Sequence, residues 1–242
     1  MKPFRKLKKF KILIGTPMNE VKNYCFDDFI SRVSNLTYDN YDVLIADNSG
    51  SRKNMKRIMK AGINCIHIKP KLKANQAYIT ESHEALRLEA LRGGYDFLLH
   101  LESDIIPPHD IIERLLIHQK QVTAATYFIN EGHNSHLMIQ EIEKSGDTVR
   151  HTVNIDSGFD ILEVDGKLKK VYAEGLGCML IHKTVLEKVK FRWENGADAH
   201  ADSFFAADLN HLKIPIYLDS SLILEHRNSS WITNLDAYQL PK

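Results

Sequence analysis

Two carboxylates one residue apart, Glu102 and Asp104, follow directly on the apolar run Phe97-Leu98-Leu99 and stand just before Pro107-Pro108. Unpaired charge at the end of a buried strand is costly, so carboxylates in such a place ordinarily meet a cation or a ligand. Hard oxygen donors suit Mg²⁺ or Mn²⁺ together with phosphate oxygens. The competing reading is structural: Glu102 and Asp104 would cap a helix beginning near Pro108, since Asp is a good cap and prolines favour first helical turns. Two further segments place polar groups after apolar runs, Gly15-Thr16-Pro17 with Asn19-Glu20, and Asp47-Asn48-Ser49. In open α/β sheets ligands sit beyond the carboxyl ends of strands, which makes these three segments the ones to examine.

The elements that must position them follow from periodicity. Short apolar runs at 10–16, 42–47, 64–68, 96–102 and 122–128 read as strands, and the amphipathic stretches 25–36, 51–61, 75–92 and 109–120 between them read as helices. In the third helix Ala85, Leu88 and Leu91 recur at helical spacing, and Gly62 and Gly93-Gly94 stand where helices should stop. Such alternation predicts an α/β fold with a mostly parallel central sheet flanked by helices. From Glu131 to Gly166 the chain is polar and irregular, a length that in a compact domain is usually functional or mobile, here an expected acceptor lid. Order returns with a strand at Cys178-Met179-Leu180-Ile181, helices at 184–190 and 202–213, and an extended stretch at 214–225. At 242 residues the chain fits one domain, with 10–129 as nucleotide-binding half and 130–242 as acceptor-binding half.

These segments in this order resemble the GT-A glycosyltransferases, particularly family 2-like enzymes. Ile12-Leu13-Ile14-Gly15-Thr16-Pro17 is similar to their first strand and nucleotide loop, Val43 to Ser49 to their second strand, and Tyr95 to Asp104 to the strand carrying their DxD motif. Gly175-Leu176-Gly177-Cys178-Met179-Leu180-Ile181 resembles their acceptor-side segment, and Ala201-Asp202-Ser203-Phe204-Phe205 their ED-type motif. The match runs from about residue 10 to 226. Glu102 stands where the first Asp of DxD is usual, and Ala201 where Glu commonly precedes the catalytic Asp. The Arg-Asn pair expected on the helix before the DxD strand is missing, with Ser82-His83 near its place and Arg87 one turn on as its substitute.

The resemblance implies a GT-A (Rossmann-like) fold and transfer of sugar from a UDP- or GDP-sugar, inverting, to a glycan, lipid-linked or small-molecule acceptor. Asp104 and the late His226 would hold Mn²⁺ or Mg²⁺. Asp47 would bind the donor's base or ribose, Thr16 and Pro17 would shape the nucleotide loop, and Glu102 and Ser103 would contact the nucleotide-sugar. Asp202 would be the general base, with Asp208 as local alternative and a helix N-cap as its structural reading. Trp193 and Trp231 could stack on a sugar or simply pack.

Composition removes other classes. With 32 basic and 31 acidic residues the formal charge is +1, and there is no basic-aromatic stripe, so nucleic acid is not an expected partner. No GxGxxG follows the first strand, against a dinucleotide-dependent dehydrogenase. The basic start, Lys2 to Lys11, is either a solvated tail or a peripheral contact with anionic lipid; no ~20-residue apolar span is present, and a cytoplasmic protein is expected. Cys25, Cys65 and Cys178 are odd in number and scattered, which suggests neither disulfides nor zinc. Two rivals stay open: a sugar nucleotidyltransferase, although Gly15 to Glu20 lacks the Gly-rich basic loop, and a non-catalytic nucleotide- or glycan-binding module.

Overall fold

The computed structural model describes residues 9–69, 75–131, 134–142, 149–151, 165–195, 197 and 199–227. The chain opens with β1 (Ile12–Met18), a 3₁₀ turn (Glu20–Cys25) and α1 (Phe26–Val33), then β2 (Tyr41–Asp47), α2 (Lys53–Lys60) and β3 (Asn64–His67). Next come α3 (Asn75–Arg92), β4 (Phe97–Leu101), β5 (Ile105–Ile106), α4 (Ile111–Leu116) and β6 (Val122–Glu131). Three strands, β7 (Asn134–Leu137), β8 (Ile139–Ile142) and β9 (Val149–His151), occupy the described part of the stretch read as irregular. The remainder is β10 (Leu168–Val171), β11 (Ala173–Glu174), β12 (Cys178–His182), α5 (Lys183–Leu186), α6 (Ala201–His211) and β13 (Ile216–His226). The basic start up to residue 8, most of the expected lid and Trp231 lie outside the described residues.

The main sheet runs β10-β13-β6-β12-β4-β1-β2-β3, with β5 on β13 and β7 on β6; β11, β8 and β9 form a small antiparallel sheet. The β3-β2-β1-β4 portion is parallel as expected, and β6 and β13 are parallel to each other. The sheet as a whole is mixed rather than mostly parallel, because β12 runs antiparallel to both β4 and β6 and β10 runs antiparallel to β13. An apolar run such as Cys178 to Ile181 shows burial on both faces but not direction, so the reversal leaves no periodic trace. Its consequence is functional. The beginning of β12 and the ends of β1, β2, β4, β6 and β13 share one edge of the sheet.

The two sheet faces bury separate apolar clusters, one around Leu98, Met179 and Phe205, the other around Ile14, Leu99 and Leu180. Helix α3 packs close on β1 because Gly15 has no Cβ; one added there would meet Leu98 at 2.7 Å and Leu86 at 3.3 Å. The inward face of α3 carries His83, Leu86, Arg87 and Ala90, whereas Leu88 is 43% exposed. Apolar spacing missed this face because two of its members are polar and internally bonded. His100 Nδ1 faces the Leu176 carbonyl at 2.5 Å, and a carbonyl only accepts, so that nitrogen carries the proton; Nε2 then accepts from His83 Nδ1 at 2.5 Å. Among the described residues, no helix is long and apolar enough to cross a membrane.

Burial drives both histidines towards the neutral form, His100 down to about 4 and His83 well below its ordinary value. An unfolded chain protonates them near pH 6.5 while the folded one resists, so the stability they support is full above that pH and is lost as pH falls towards 4. Urea unfolding of the wild type and of a His83→Gln/His100→Gln variant should show the wild type losing stability relative to the variant between pH 6.5 and 4, by more than the about 3 kcal/mol that His100 alone would contribute. Parallel pH dependences would remove this buried pair from the acid response.

Candidate active site

Asp104 is delivered by a tight turn. Ile105 N–H bonds the Glu102 carbonyl at 3.1 Å, reversing the chain as β4 ends, and β5 then pairs with the end of β13, Ile105 opposite His226 and Ile106 opposite Glu225. The Arg227 N–H closes the corner on the Asp104 carbonyl at 2.7 Å. His226 Nε2 thereby comes to lie 3.2 Å from Asp104 Oδ2, across 122 positions of sequence. Its Nδ1 donates to the Phe128 carbonyl at 2.8 Å, which fixes the ring's orientation and leaves Nε2 facing the carboxylate. Neither Glu102 nor Asp104 caps α4, which starts at Ile111 behind Asp110. The helix-cap reading of the acidic pair therefore fails.

Sequence reasoning missed a third member. Lys22, on the 3₁₀ turn, places its ammonium on the same Asp104 Oδ2. The Asp104 side chain is only 2% exposed, and a charge so buried requires partners. Burial works to raise its pKa, but the His226 hydrogen bond and the Lys22 charge outweigh it and hold Asp104 below its ordinary value. Conversely, Asp104 raises His226 and Lys22 against their own desolvation. Glu102, two residues away, is balanced the other way: burial first and the Asp104 charge second outweigh the lowering by the Lys22 and His226 charges and push it up to about 7. No spacing rule links Lys22 to Asp104, so only the fold could reveal the pair.

A second acidic group gathers around Tyr127 on β6. The ring stands edge-on to His226, with centroids 5.2 Å apart, and its hydroxyl accepts the Gly177 N–H at 3.2 Å. Gly175 and Gly177 permit this because a Cβ on either would fall within 2.3 Å of a Tyr127 atom. Burial first, and then the charges of Glu102, Glu174 and Asp202, raise the phenol well above its ordinary range. Asp202 is half-buried at the second residue of α6; the N-cap is His200, so the cap reading of Asp202 does not hold. Burial raises Asp202 as well. Asp208, its local alternative, is taken by a two-pronged pair with Arg192 at 2.8 and 2.9 Å.

The nucleotide-side residues form a more enclosed cluster. Thr16 and Pro17 lie within β1, which continues to Met18, and the Thr16 hydroxyl is fully buried without a hydrogen-bond partner. Asp47 is also fully buried: Oδ1 accepts from Ser49 Oγ at 2.5 Å and Asn54 Nδ2 at 2.9 Å, and Oδ2 lies 3.2 Å from His67 Nδ1. In this arrangement Asp47 organises the loop after β2. That loop is tied to the one after β1 through Asn19 to Asn48 and Glu20 N–H to Ser49. Ser103 is buried, its carbonyl accepting the Cys25 thiol at 3.2 Å. Arg87 is not available as a substitute phosphate ligand, since Glu84 and the Leu186 carbonyl hold its guanidinium. Trp193 donates its indole N–H to the Ala197 carbonyl at 3.1 Å.

A carboxylate beside an imidazole with its far nitrogen pinned is a donor pair that fits Mn²⁺ or Mg²⁺. Among the described residues no three His, Cys, Asp or Glu side chains converge on a metal position. Asp104 and His226 are the described pair that could hold such an ion.

No family model matches the chain, and no curated protein sequence matches it. The fold recurs among solved structures. It aligns with S. aureus TarS 1–349 over 88% of this chain and 59% of that one, at TM-score 0.54 and 11% identity. A CMP:2-keto-3-deoxy-manno-octonic acid synthetase complexed with CTP aligns over 86% of this chain and 88% of its own, at TM-score 0.53 and 12% identity. A mycobacterial protein aligns over 90% and 68%, at 0.52 and 13%. At these identities the likeness is one of fold alone, a mixed α/β sheet flanked by helices.

The close seat of Tyr127 can be tested directly. Gly177→Ala puts a methyl 2.2 Å from its ring, in a fully packed region. We expect it to destabilise the protein by about 1–3 kcal/mol in urea titration, the usual cost of overpacking. Unchanged stability would mean that the phenol has room to move.

Proposed function

We propose that this chain transfers a sugar from a UDP- or GDP-sugar to an acceptor hydroxyl, with Mn²⁺ or Mg²⁺ held by Asp104 and His226. The reading is carried by the meeting of those two side chains at the carboxyl edge of the sheet, with Nε2 of His226 turned to the carboxylate. When bound, a divalent ion offsets the negative charge that builds on the leaving diphosphate. The chain's own residues do the rest. Asp104, kept ionised, supplies an anionic oxygen, and Lys22 moves its ammonium from that oxygen to the phosphates when the donor arrives. Glu102, shifted towards its neutral form, can both give and take hydrogen bonds with a ribose hydroxyl. Asp202, with its proton affinity increased by burial, takes the proton of the attacking hydroxyl, as an inverting reaction requires.

Nucleotidyl transfer is the second reading, favoured by the CTP-bound synthetase that shares the fold. It predicts release of pyrophosphate, whereas glycosyl transfer releases a nucleoside diphosphate. The segment Gly15 to Glu20 offers no glycine-rich basic loop for a triphosphate.

Two substitutions test the assignment. Asp104→Asn should remove Mn²⁺-dependent binding of UDP and GDP in calorimetry while the fold persists, because an amide cannot replace the anionic ligand. Asp202→Asn should leave nucleotide affinity intact and lower turnover about 10²–10⁴-fold. Metal-dependent binding that survives in a folded Asp104→Asn protein, or full turnover in Asp202→Asn, would refute the respective role.

A further inference from the structure

Glu174 is the carboxylate that the proposed chemistry leaves unused. It sits on β11, 3% exposed, and neither of its oxygens makes a hydrogen bond of ordinary length and angle; the Thr126 hydroxyl and the Gly175 backbone come near enough to lower its pKa but not to offset burial, and the Thr126 hydroxyl is likewise left without such a bond. A buried carboxyl without a good hydrogen bond is a standing cost to the fold, and such groups in a native protein call for an explanation. The surroundings supply one. Glu174 lines a cavity together with Met138, Ala173, Gly175, Asp202 and Ser203, with a volume of about 10 Å³, room for one water or hydroxyl oxygen. Among the described residues, the walls of the cavity include no cationic side chain.

We propose that Glu174 and Asp202 form the two sides of an acceptor subsite for a neutral, polyhydroxylated ring, Glu174 binding one hydroxyl while Asp202 faces its neighbour. The proposal rests on the reading of Asp202 as the residue facing the acceptor and names the class of acceptor. Three features favour a neutral polyol. First, burial raises Glu174 well above the carboxylate range, with the nearby Asp202 charge acting in the same direction. The side chain is then a carboxylic acid, with one O–H to give and oxygens to accept, which complements a sugar hydroxyl. Second, a phosphorylated or carboxylated group would meet Asp202 with no cation among the described wall residues to offset the repulsion. Third, Met138 provides an apolar surface suited to the C–H face of a ring. Gly175 lets the strand lie close to Tyr127 and Met138, since a Cβ there would meet them at 2.3 and 2.6 Å.

The test uses the whole chain and defined probes: methyl gluco-, galacto- and mannopyranosides, with methyl 2-amino-2-deoxyglucopyranoside and glucose 6-phosphate as charged counterparts, in saturation-transfer NMR. The wild type should show transfer to at least one neutral pyranoside and none to the phosphate. Glu174→Leu should abolish that transfer and, because it removes an unpartnered buried polar group, raise Tm by about 2–4 °C. Glu174→Gln, neutral and of similar shape, should retain transfer within about threefold. The proposal is overturned if the wild type binds no neutral pyranoside, if only the amino sugar or the phosphate binds, if Glu174→Leu binds as the wild type does, or if Glu174→Leu is less stable than the wild type. UDP and GDP titrated with Mn²⁺ into the same samples report separately on the donor side. Nucleotide binding without pyranoside binding sinks this inference alone, and pyranoside binding without nucleotide binding sinks the donor reading alone.

Discussion

Two backbone pairings, Ile105 with His226 and Ile106 with Glu225, are what the candidate site depends on. They join the turn after β4 to the last rung of β13 and bring a carboxylate and an imidazole into contact across half the chain. Without β5 the acidic turn would end in a loop, and Asp104 would have neither His226 nor a fixed direction. Backbone hydrogen bonds serve this purpose better than side-chain packing, because a one-residue slip would turn His226 to the other face of the sheet. Phe128, on the parallel neighbour β6, then pins the imidazole from behind.

The electrostatic consequence is a division among similar groups. Four acidic side chains, Glu102, Asp104, Glu174 and Asp202, lie near one edge of the sheet, and among the described residues only Asp104 is paired with cations. It is accordingly lowered, while burial raises the other three. Environment, not residue type, separates a carboxylate held in its charged form from neighbours shifted towards the neutral one. Tyr127 is the spacer between the two corners, with His226 against its ring and Gly175 and Gly177 against its hydroxyl.

What could be read from the amino acids was whatever repeats locally. β1 to β4 and their helices follow from apolar spacing, Asp104 stood out as a carboxylate ending a predicted strand, and His226 and Asp202 were singled out by the resemblance. The remainder depends on distant pairing. β5 is two residues long and carries no period, and the prolines at 107 and 108 mark the approach to α4 rather than its first turn. The direction of β12 is invisible in a run buried on both faces. Lys22 and Glu174 look like ordinary charged residues until folding places one on Asp104 and the other beside an empty cavity. Asp47 and Arg87 illustrate the converse, since both attract notice by type and position yet spend their polar atoms on internal partners.

The central claim, that Asp104 and His226 hold a divalent ion together with the donor's diphosphate, is tested most directly by pulsed EPR of Mn²⁺ added with UDP or GDP. The account predicts ¹⁴N modulation from one imidazole in the wild type and its disappearance in a folded His226→Gln variant. Mn²⁺ bound with nucleotide but surrounded by oxygen alone in the wild type, or nitrogen coupling that persists in His226→Gln, would contradict it.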